Sequence, residues 1–259
     1  MIEVLHKAEA ARHHLQQIRS TGNTLGFVPT MGALHDGHMS LVDRSLKENE
    51  ITVVSIFINP TQFNDADDYS GYPRPLDDDL ALLEKAGVGI AFCPSKKEIY
   101  PDGYCYRIQE NSFSNELEGA FRPGHFDGVL TVVMKLLNIV APNRAYFGEK
   151  DWQQYLLIRE MATAFFLDME IVSCRLVRDV DGLALSSRNA LLSSSERAVA
   201  PRFFEILSDE TPIKDKWESL GKAGFEVEYI EERDNRILAA VKLGGIRIID
   251  NVKTVRSVK

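Results

Sequence analysis

The sequence predicts an α/β protein with a doubly wound parallel sheet over residues 1–177 and a smaller α+β domain over residues 178–259. Strand and helix patterns alternate through the first domain, which is typical of parallel strands joined by helical crossovers. The run Ile51–Ile58 is rich in β-branched residues, as expected of an interior strand covered on both faces. After Val177–Asp181 the pattern changes, because apolar residues then alternate with charged ones. The first domain is therefore expected to be Rossmann-like.

Apolar spacing places the elements of the first domain in order. Helical spacing runs from Leu5 to Ile18, from a start near His35 or Gly37 to Leu46, and through Leu80–Ala86, Val129–Val140 and Trp152–Met161. Short apolar runs predict the strands Thr24–Val28, Ile51–Ile58, Val88–Cys93, Ala145–Phe147 and Glu170–Val177. Parallel sheets bind ligands at the carboxyl ends of their strands, so the segments that follow these strands are candidate site segments.

The second domain is expected to contain a small antiparallel sheet and one or two helices. Ser193 and Glu196 have the spacing of a capping box that opens a helix, and Pro201 should interrupt that helix. Two further strands are predicted for this sheet, Arg236–Lys242 and Ile246–Ile249, with a pair of glycines between them.

Composition narrows the classes of function. The chain has 259 residues, 44% of them apolar, and a net charge of −8, which argues against a general nucleic-acid-binding protein. Its apolar runs are too short to cross a bilayer, and Met1–His6 does not resemble a signal peptide. Cys93, Cys105 and Cys174 have no metal-ligand spacing and are expected to be reduced thiols of a cytoplasmic protein.

The segment Pro29–His38, with the letters PTMGALHDGH, follows a predicted strand and opens a predicted helix. A helix start offers unpaired N–H groups and the positive end of the helix dipole, which together attract phosphate. His35 and His38 are three residues apart and can point the same way, while Gly32 and Gly37 allow a ligand to approach the backbone. The alternative is a pair of surface histidines at a helix cap.

The segment Phe147–Gln154 also joins a strand to a helix. Gly148 would allow close approach of a ribose, and Asp151 could accept hydrogen bonds from its hydroxyl groups. Lys150 is a mobile positive charge suited to phosphate, and Gln154 is expected one turn further along the same face. The alternative is a surface Lys150–Asp151 pair that caps the helix.

Two further segments carry polar residues suited to ligands. Ser186, Ser187 and Arg188 supply hydroxyl and guanidinium donors for phosphate oxygens. Gln62, at the end of a strand, can both donate and accept, whereas the nearby Asn59 is either a ligand or a turn former.

The residues of two more segments can have either a structural or a functional role. Asp77, Asp78 and Asp79 either favour the start of a helix or bind Mg²⁺. Arg122 and His125 either line a substrate pocket or serve as helix caps or subunit contacts.

Taken together, these segments resemble the pantothenate synthetases, a family of HxGH nucleotidyltransferases. The resemblance runs from about Leu25 to Ser195, and the match to PTMGALHDGH and to FGEKDWQQ is close. It implies a catalytic set of His38, His35, Lys150, Ser186, Ser187 and Arg188. It implies an ATP site that also includes Met31, Gly32, Ala33, Leu34, Asp36, Gly37, Gly148, Glu149, Asp151, Val177 and Leu185. It implies a site for pantoate and β-alanine at Gln62, Gln154, Asn59, Arg122 and His125.

The resemblance also implies the reaction and the partners. ATP would activate pantoate as an adenylate with release of pyrophosphate, and β-alanine would then displace AMP. Mg²⁺ would accompany ATP, with Asp78 as its candidate ligand. The protein would be a homodimer that binds neither nucleic acid nor membrane. Two alternatives remain from the residues alone: another nucleotidyltransferase that shares HxGH, and a non-catalytic ATP-binding module.

Overall fold

The computed structural model describes residues 1–254 and divides into two compact units. The first unit contains Met1–Gly148 and Gln153–Cys174, and the second contains Glu149–Trp152 and the chain from Arg175 onward. The sequence placed the boundary at residues 177 and 178, a few residues after the division at Cys174. It also placed Glu149–Trp152 in the first domain, and residues 255–259 of its second domain lie outside the described chain.

The first unit is built on a six-stranded sheet whose strands are all parallel. The strands are β1 (Glu3–Leu5), β2 (Leu25–Thr30), β3 (Ile51–Ile56), β4 (Ile90–Phe92), β5 (Arg144–Gly148) and β6 (Glu170–Cys174), in the order β1-β4-β3-β2-β5-β6. The predicted doubly wound α/β fold is thereby confirmed. The chain builds the sheet outward from β2 to β4 and then returns to place β5 on the other side of β2. This switch point, between β2 and β5, is where such sheets bind ligands.

Helices cover the interior strands because these strands are apolar on both faces. Val28 and Val54 pack with the apolar residues of two helices, Leu41 and Val42 on one and Leu83 on the other. Phe27 and Val53, the neighbours of Val28 and Val54 in the strands, point to the opposite face and are also fully buried. The helices that begin in this part of the chain are α1 (Ala8–Ser20), α2 (Asp36–Glu48), α3 (Ala66–Gly71), α4 (Leu76–Ala86), α5 (Lys96–Ile99), α6 (Glu118–Phe121), α7 (His125–Val140) and α8 (Trp152–Ala164).

The second unit has its own antiparallel sheet and its own apolar core. Its elements are α9 (Ser194–Val199), α10 (Arg202–Ser208), α11 (Ile213–Lys222), β7 (Glu226–Arg233), β8 (Arg236–Leu243) and β9 (Ile246–Lys253). The capping box of Ser193 and Glu196 is present, and Pro201 separates α9 from α10 as predicted. Phe203, Leu220 and Phe225 pack with the inner face of the sheet. In the described residues of this unit there are three helices rather than one or two.

Pairing between strands corrects several predicted bounds. Leu5 was expected in the first helix, but it pairs with Phe92 and ends β1. The last strand of the sheet was expected to reach Val177, but β6 ends at Cys174. The Val177 carbonyl accepts from the Leu185 backbone, and Arg178 forms a bridge with Ala184, so this stretch belongs to a local hairpin instead. The end of β1 and the end of β6 were thus both set by hydrogen-bond partners that lie outside the segment concerned.

The remaining sequence expectations concern thiols and membranes. Cys93, Cys105 and Cys174 are free thiols, as predicted, and burial raises the pKa of Cys93 to about 11. Across residues 1–254, no helix combines the length and the apolar character that crossing a membrane requires.

Candidate active site

Two histidines lie at the start of α2, after the short loop that follows the carboxyl end of β2. His35 is the N-cap residue, and its Nδ1 atom accepts from the Gly37 backbone N–H at 3.1 Å. The Nδ1 atom of His38 lies 3.4 Å from the His35 backbone N–H, and the two ring centroids are 4.1 Å apart. A neutral imidazole that accepts at Nδ1 carries its proton at Nε2. Each ring is therefore set as an Nε2–H donor at a helix start that itself attracts anions.

The loop that leads into α2 is shaped by Asp79, which the sequence left open between a helix-start residue and a ligand of Mg²⁺. Its buried carboxylate accepts from the Ala33 N–H at 2.8 Å and the Leu34 N–H at 2.7 Å. Gly32 and Ala33 have positive φ angles of 78° and 50°, and a Cβ at Gly32 would lie 2.8 Å from Asp79 Oδ2. Burial raises the pKa of Asp79, while the two backbone donors oppose that shift. Its role as a loop anchor depends on contacts across more than forty residues.

The neighbouring Asp78 differs from Asp79, because its side chain is exposed in the first turn of α4. Residues 1–254 contain no cluster of three or more His, Cys, Asp or Glu side chains arranged to enclose a metal ion. Mg²⁺ is commonly held by one or two carboxylates together with substrate phosphates. The exposed Asp78 fits that mode of binding, whereas an ion enclosed by protein ligands alone would not fit this site.

Asn59 and Gln62 form a compact turn after β3. Asn59 is 1% exposed, and its Oδ1 atom accepts from the hydroxyls of Thr61 and Tyr100. Its Nδ2 atom donates to Gln62 Oε1 at 3.0 Å, so Asn59 orients the side chain of Gln62. Gln62 in turn places its Nε2 atom 3.3 Å from the sulfur of Met31, which brings this turn next to the loop before α2. The turn-forming interpretation of Asn59 therefore has direct support in the geometry.

Arg122 and His125 hold the same turn from the side of α7. The Gln62 carbonyl can only accept, so the contact of 2.8 Å with His125 Nδ1 assigns a proton to Nδ1. His125 Nε2 then accepts from Arg122 Nη1 at 3.1 Å. The N-cap of α7 is Gly124, without a side-chain cap. Neither the Arg122 nor the His125 side chain therefore caps the start of α7, although Arg122 is the residue that ends α6.

A cavity of about 210 Å³ lies beside these residues in the first unit. Gln62, Phe63 and His125 line it, together with Arg107 and Asp127.

Gly148 and Gln154 are the remaining predicted site residues of the first unit. Gly148 ends β5 at the switch point, and a Cβ added there would meet no atom within 4 Å. Open space above a backbone at this edge allows a ligand to lie against it. Gln154 lies in the first turn of α8 and is partly buried.

In the second unit, the turn Glu149–Asp151 is tied to the antiparallel sheet. The Glu149 carboxylate forms an ion pair of 2.6 Å with Arg236, so its predicted contact with ATP would have to come from its backbone. Asn251 Nδ2 donates to the carbonyls of Glu149 at 2.8 Å and Lys150 at 3.1 Å. Lys150 Nζ lies 3.7 Å from Asp151 Oδ1, which is a long distance for an ion pair. Sequence reasoning missed Arg236 altogether and gave Asn251 no role.

The segment Leu185–Asn189 forms a tight turn of hydroxyl and guanidinium groups. Ser186 caps this 3₁₀ turn, because its Oγ accepts from the Arg188 N–H at 3.3 Å. Asn189 Nδ2 donates to the Ala184 carbonyl at 2.9 Å and closes the turn. Ser187 and Arg188 lie within the turn and are partly buried. Val177 lies in the adjoining hairpin and not at a strand end, which corrects the basis on which it was assigned to adenine.

Comparison with known proteins gives one consistent family. The family model described as pantoate-beta-alanine ligase matches residues 3–253. A pantothenate synthetase of Legionella pneumophila (strain Lens) is 54% identical over 228 residues, covering 88% of this chain and 90% of that protein. A pantothenate synthetase of Bdellovibrio bacteriovorus is 50% identical over 235 residues, covering 91% of this chain and 94% of that protein.

Solved structures agree with the sequence comparisons. The pantoate-beta-alanine ligase of Francisella tularensis, in complex with beta-gamma ATP and beta-alanine, has a TM-score of 0.91 at 41% identity and covers 98% of both chains. The pantothenate synthetase of Thermus thermophilus has a TM-score of 0.88 at 37% identity, covering 97% of this chain and 99% of that one. The fold, the imidazole pair at the start of α2 and the match over residues 3–253 lead to one conclusion: the chain belongs to the pantoate–β-alanine ligase family.

Proposed function

We propose that this chain condenses pantoate with β-alanine in a reaction driven by ATP, and that it does so through a pantoyl-adenylate. The observation that carries the proposal is the imidazole pair of His35 and His38, set as Nε2–H donors at the start of α2. The family match and the solved relative in complex with beta-gamma ATP and beta-alanine support the choice of substrates. Another nucleotidyltransferase activity has no comparable support.

In the first step, a carboxylate oxygen of pantoate forms a bond to the α-phosphorus of ATP, and the bond from that phosphorus to pyrophosphate breaks. Negative charge builds up on the phosphate oxygens, so donors already in place lower the barrier. His35 and His38 supply imidazole N–H donors from the first unit. From the second unit, Lys150 and the Ser186–Arg188 turn are proposed to stabilise the same charge.

In the second step, the neutral amine of β-alanine attacks the acyl carbon of the adenylate. A C–N bond forms, the bond between the acyl carbon and the AMP oxygen breaks, and the amine loses a proton to solvent. Gln62 is the proposed contact of pantoate, oriented by Asn59 and held through its carbonyl by His125. Because only the neutral amine attacks, the rate of this step should rise with pH near neutrality.

Three accompanying features are proposed from family likeness. Mg²⁺ would be held by Asp78 together with the nucleotide phosphates and would neutralise charge on the leaving pyrophosphate. The protein would form a homodimer and would act in the cytoplasm. Titration of Mg²⁺ against ATP turnover in an Asp78→Asn variant tests the metal contact, and gel filtration with light scattering tests the homodimer.

The route through an adenylate is tested by following oxygen atoms. Pantoate labelled with ¹⁸O in its carboxylate should pass one labelled oxygen to AMP, and pyrophosphate release should depend on pantoate. Omitting β-alanine should leave one turnover of pyrophosphate release and no pantothenate. Formation of ADP and phosphate, or AMP without the label, would contradict the proposal.

A further inference from the structure

The backbone of the Lys150 turn is held by two buried residues of the antiparallel sheet. Asn251, on β9, is 3% exposed, and its amide donates to the carbonyls of Glu149 and Lys150. Arg236, on β8, is 6% exposed and donates to Glu149 Oε2 and to Asn251 Oδ1, each at 2.6 Å. Arg236 therefore holds the side chain of Glu149, and Asn251 holds the main chain of the turn. The hydrogen bond between Arg236 and Asn251 joins these two sets of contacts.

Arg236 makes a third contact, with an aromatic ring. Its guanidinium group lies 3.9 Å from the centre of the ring of Trp152, the residue that begins α8 directly after the turn. An arginine can stack on an aromatic ring and still donate in two directions from the edge of its planar group. The turn is therefore held at the Lys150 carbonyl and at residues on either side of Lys150, namely Glu149 and Trp152.

β9, the strand that carries Asn251, also fixes the hairpin that precedes the Ser186–Arg188 turn. Asp250 accepts two hydrogen bonds from Arg178, at 2.6 and 2.8 Å. Burial raises the pKa of the Asp250 carboxyl, and the positive charges of Arg178 and Lys150 oppose that shift. Asn251 and Asp250, which are neighbours on β9, therefore hold the Lys150 turn and the hairpin at Arg178.

We propose that Arg236 and Asn251 are positioning residues for the reaction, which act by fixing the backbone of the Lys150 turn so that its ammonium group meets the α-phosphate. The inference rests on the proposed role of Lys150. The lysine side chain is flexible, so the position of its ammonium group depends on the position of the backbone that carries it. A misplacement of about 1 Å can lower the rate about 100-fold.

The decisive variant is Asn251→Asp. Aspartate has the same shape and can still accept from Arg236, but it replaces the two N–H donors with an oxygen that repels both carbonyls. We expect kcat for pantoate-dependent pyrophosphate release to fall about 10- to 100-fold. The KM for pantoate should not change, because its proposed contacts lie in the first unit. Arg236→Lys, which keeps the charge and loses the planar fork, should give the same pattern.

A double-mutant cycle separates positioning from a general loss of stability. In a Lys150→Ala background, Asn251→Asp should cause no further loss of kcat, since groups that act as a unit are not additive. A multiplicative loss would overturn the inference, because Asn251 would then act by another route. Wild-type kcat in both Asn251→Asp and Arg236→Lys, with kcat of Lys150→Ala strongly reduced, would also overturn it and leave the role of Lys150 intact.

Arg247→Lys is the matched control in the same sheet. Arg247, on β9, pairs with Glu228 on β7 at 2.7 Å, so its substitution weakens a similar ion pair. It should retain kcat even if the midpoint of thermal unfolding falls. If Arg247→Lys reduces kcat as much as Arg236→Lys at an equal loss of stability, the positioning role is wrong. If Lys150→Ala itself keeps near-normal kcat, the proposed site and this inference both fail.

Discussion

At His38 the two ring nitrogens have different tasks. Nδ1 faces the backbone N–H of His35 and helps to start α2, which leaves the proton of the neutral ring at Nε2. The capping role that the sequence left as an alternative is therefore present, and it is compatible with a catalytic role. The cap fixes the tautomer and the direction of the ring.

Replacing His38 with Asn separates these two tasks. The Asn Oδ1 atom can accept at the position of Nδ1, but the side chain has no donor at the position of Nε2. We expect His38→Asn to fold normally and to lose about 100- to 1,000-fold in kcat, the usual cost of one donor to a transition-state oxyanion. Steady-state kinetics and thermal unfolding measure the two effects separately.

The control for His38→Asn is His13→Asn, on the exposed surface of α1. It should leave both kinetics and stability unchanged. Near-normal turnover in His38→Asn would show that Nε2 does not contact the reacting phosphate.

At the scale of elements, α7 packs against the turn that carries Gln62. Gly128 lies where the two meet, and its carbonyl accepts from Asn59 Nδ2 at 3.2 Å. A Cβ at Gly128 would lie 2.4 Å from the Thr61 carbonyl oxygen and 2.7 Å from the Gln62 backbone nitrogen. The absence of a side chain at this one position allows the helix to support the pocket.

Gly128→Ala should therefore push the Gln62 turn away from α7. We expect a loss of about 1–3 kcal/mol in the free energy of unfolding, which is typical of overpacking, and a higher KM for pantoate. Urea titration and steady-state kinetics measure these effects. The matched control is Gly221→Ala in α11, where no atom lies within 4 Å of the new Cβ and a gain of about 0.5–1 kcal/mol is expected. Equal effects of the two substitutions would contradict the packing explanation.

At the scale of the whole molecule, carboxylates that are paired in the folded state make the stability of the protein depend on pH. Asp102 accepts from the Tyr106 N–H and pairs with Lys135, each at 2.9 Å. These contacts lower the pKa of Asp102 from 3.8 to about 2. A folded-state pKa below the unfolded value stabilises the fold above pH 3.8, and this contribution is lost as the pH falls towards 2.

Asp102→Asn should therefore be less stable than the wild type near neutral pH. The difference between the two should shrink as the pH falls from 3.8 to about 2, because the wild type then loses the same ionised group. Thermal unfolding across that range measures it. A difference that stays constant down to pH 2 would contradict the assigned pKa shift.

Sequence reasoning correctly predicted which side chains are neighbours where the residues lie close together in the chain. His35 and His38 belong to one short segment, and helix geometry alone predicts that they are neighbours. It failed where partners are distant in the chain. Arg236 lies 87 residues from Glu149, and Asp79 lies 46 from Ala33, so no local pattern could connect them. The extent of β1 and β6 was likewise set by their pairing partners.

The sequence by itself determined the alternation of strands and helices, the parallel sheet and the segments at its carboxyl edge. Apolar periodicity and helix-start chemistry are local properties, and they act before the chain is compact. The tertiary structure alone decided which carboxylates serve as structural anchors: Asp79 for the loop before α2, Glu149 for the Lys150 turn and Asp250 for the hairpin at Arg178. The partners of a buried charge are chosen by the fold, because only folding brings distant donors close enough to stabilise it.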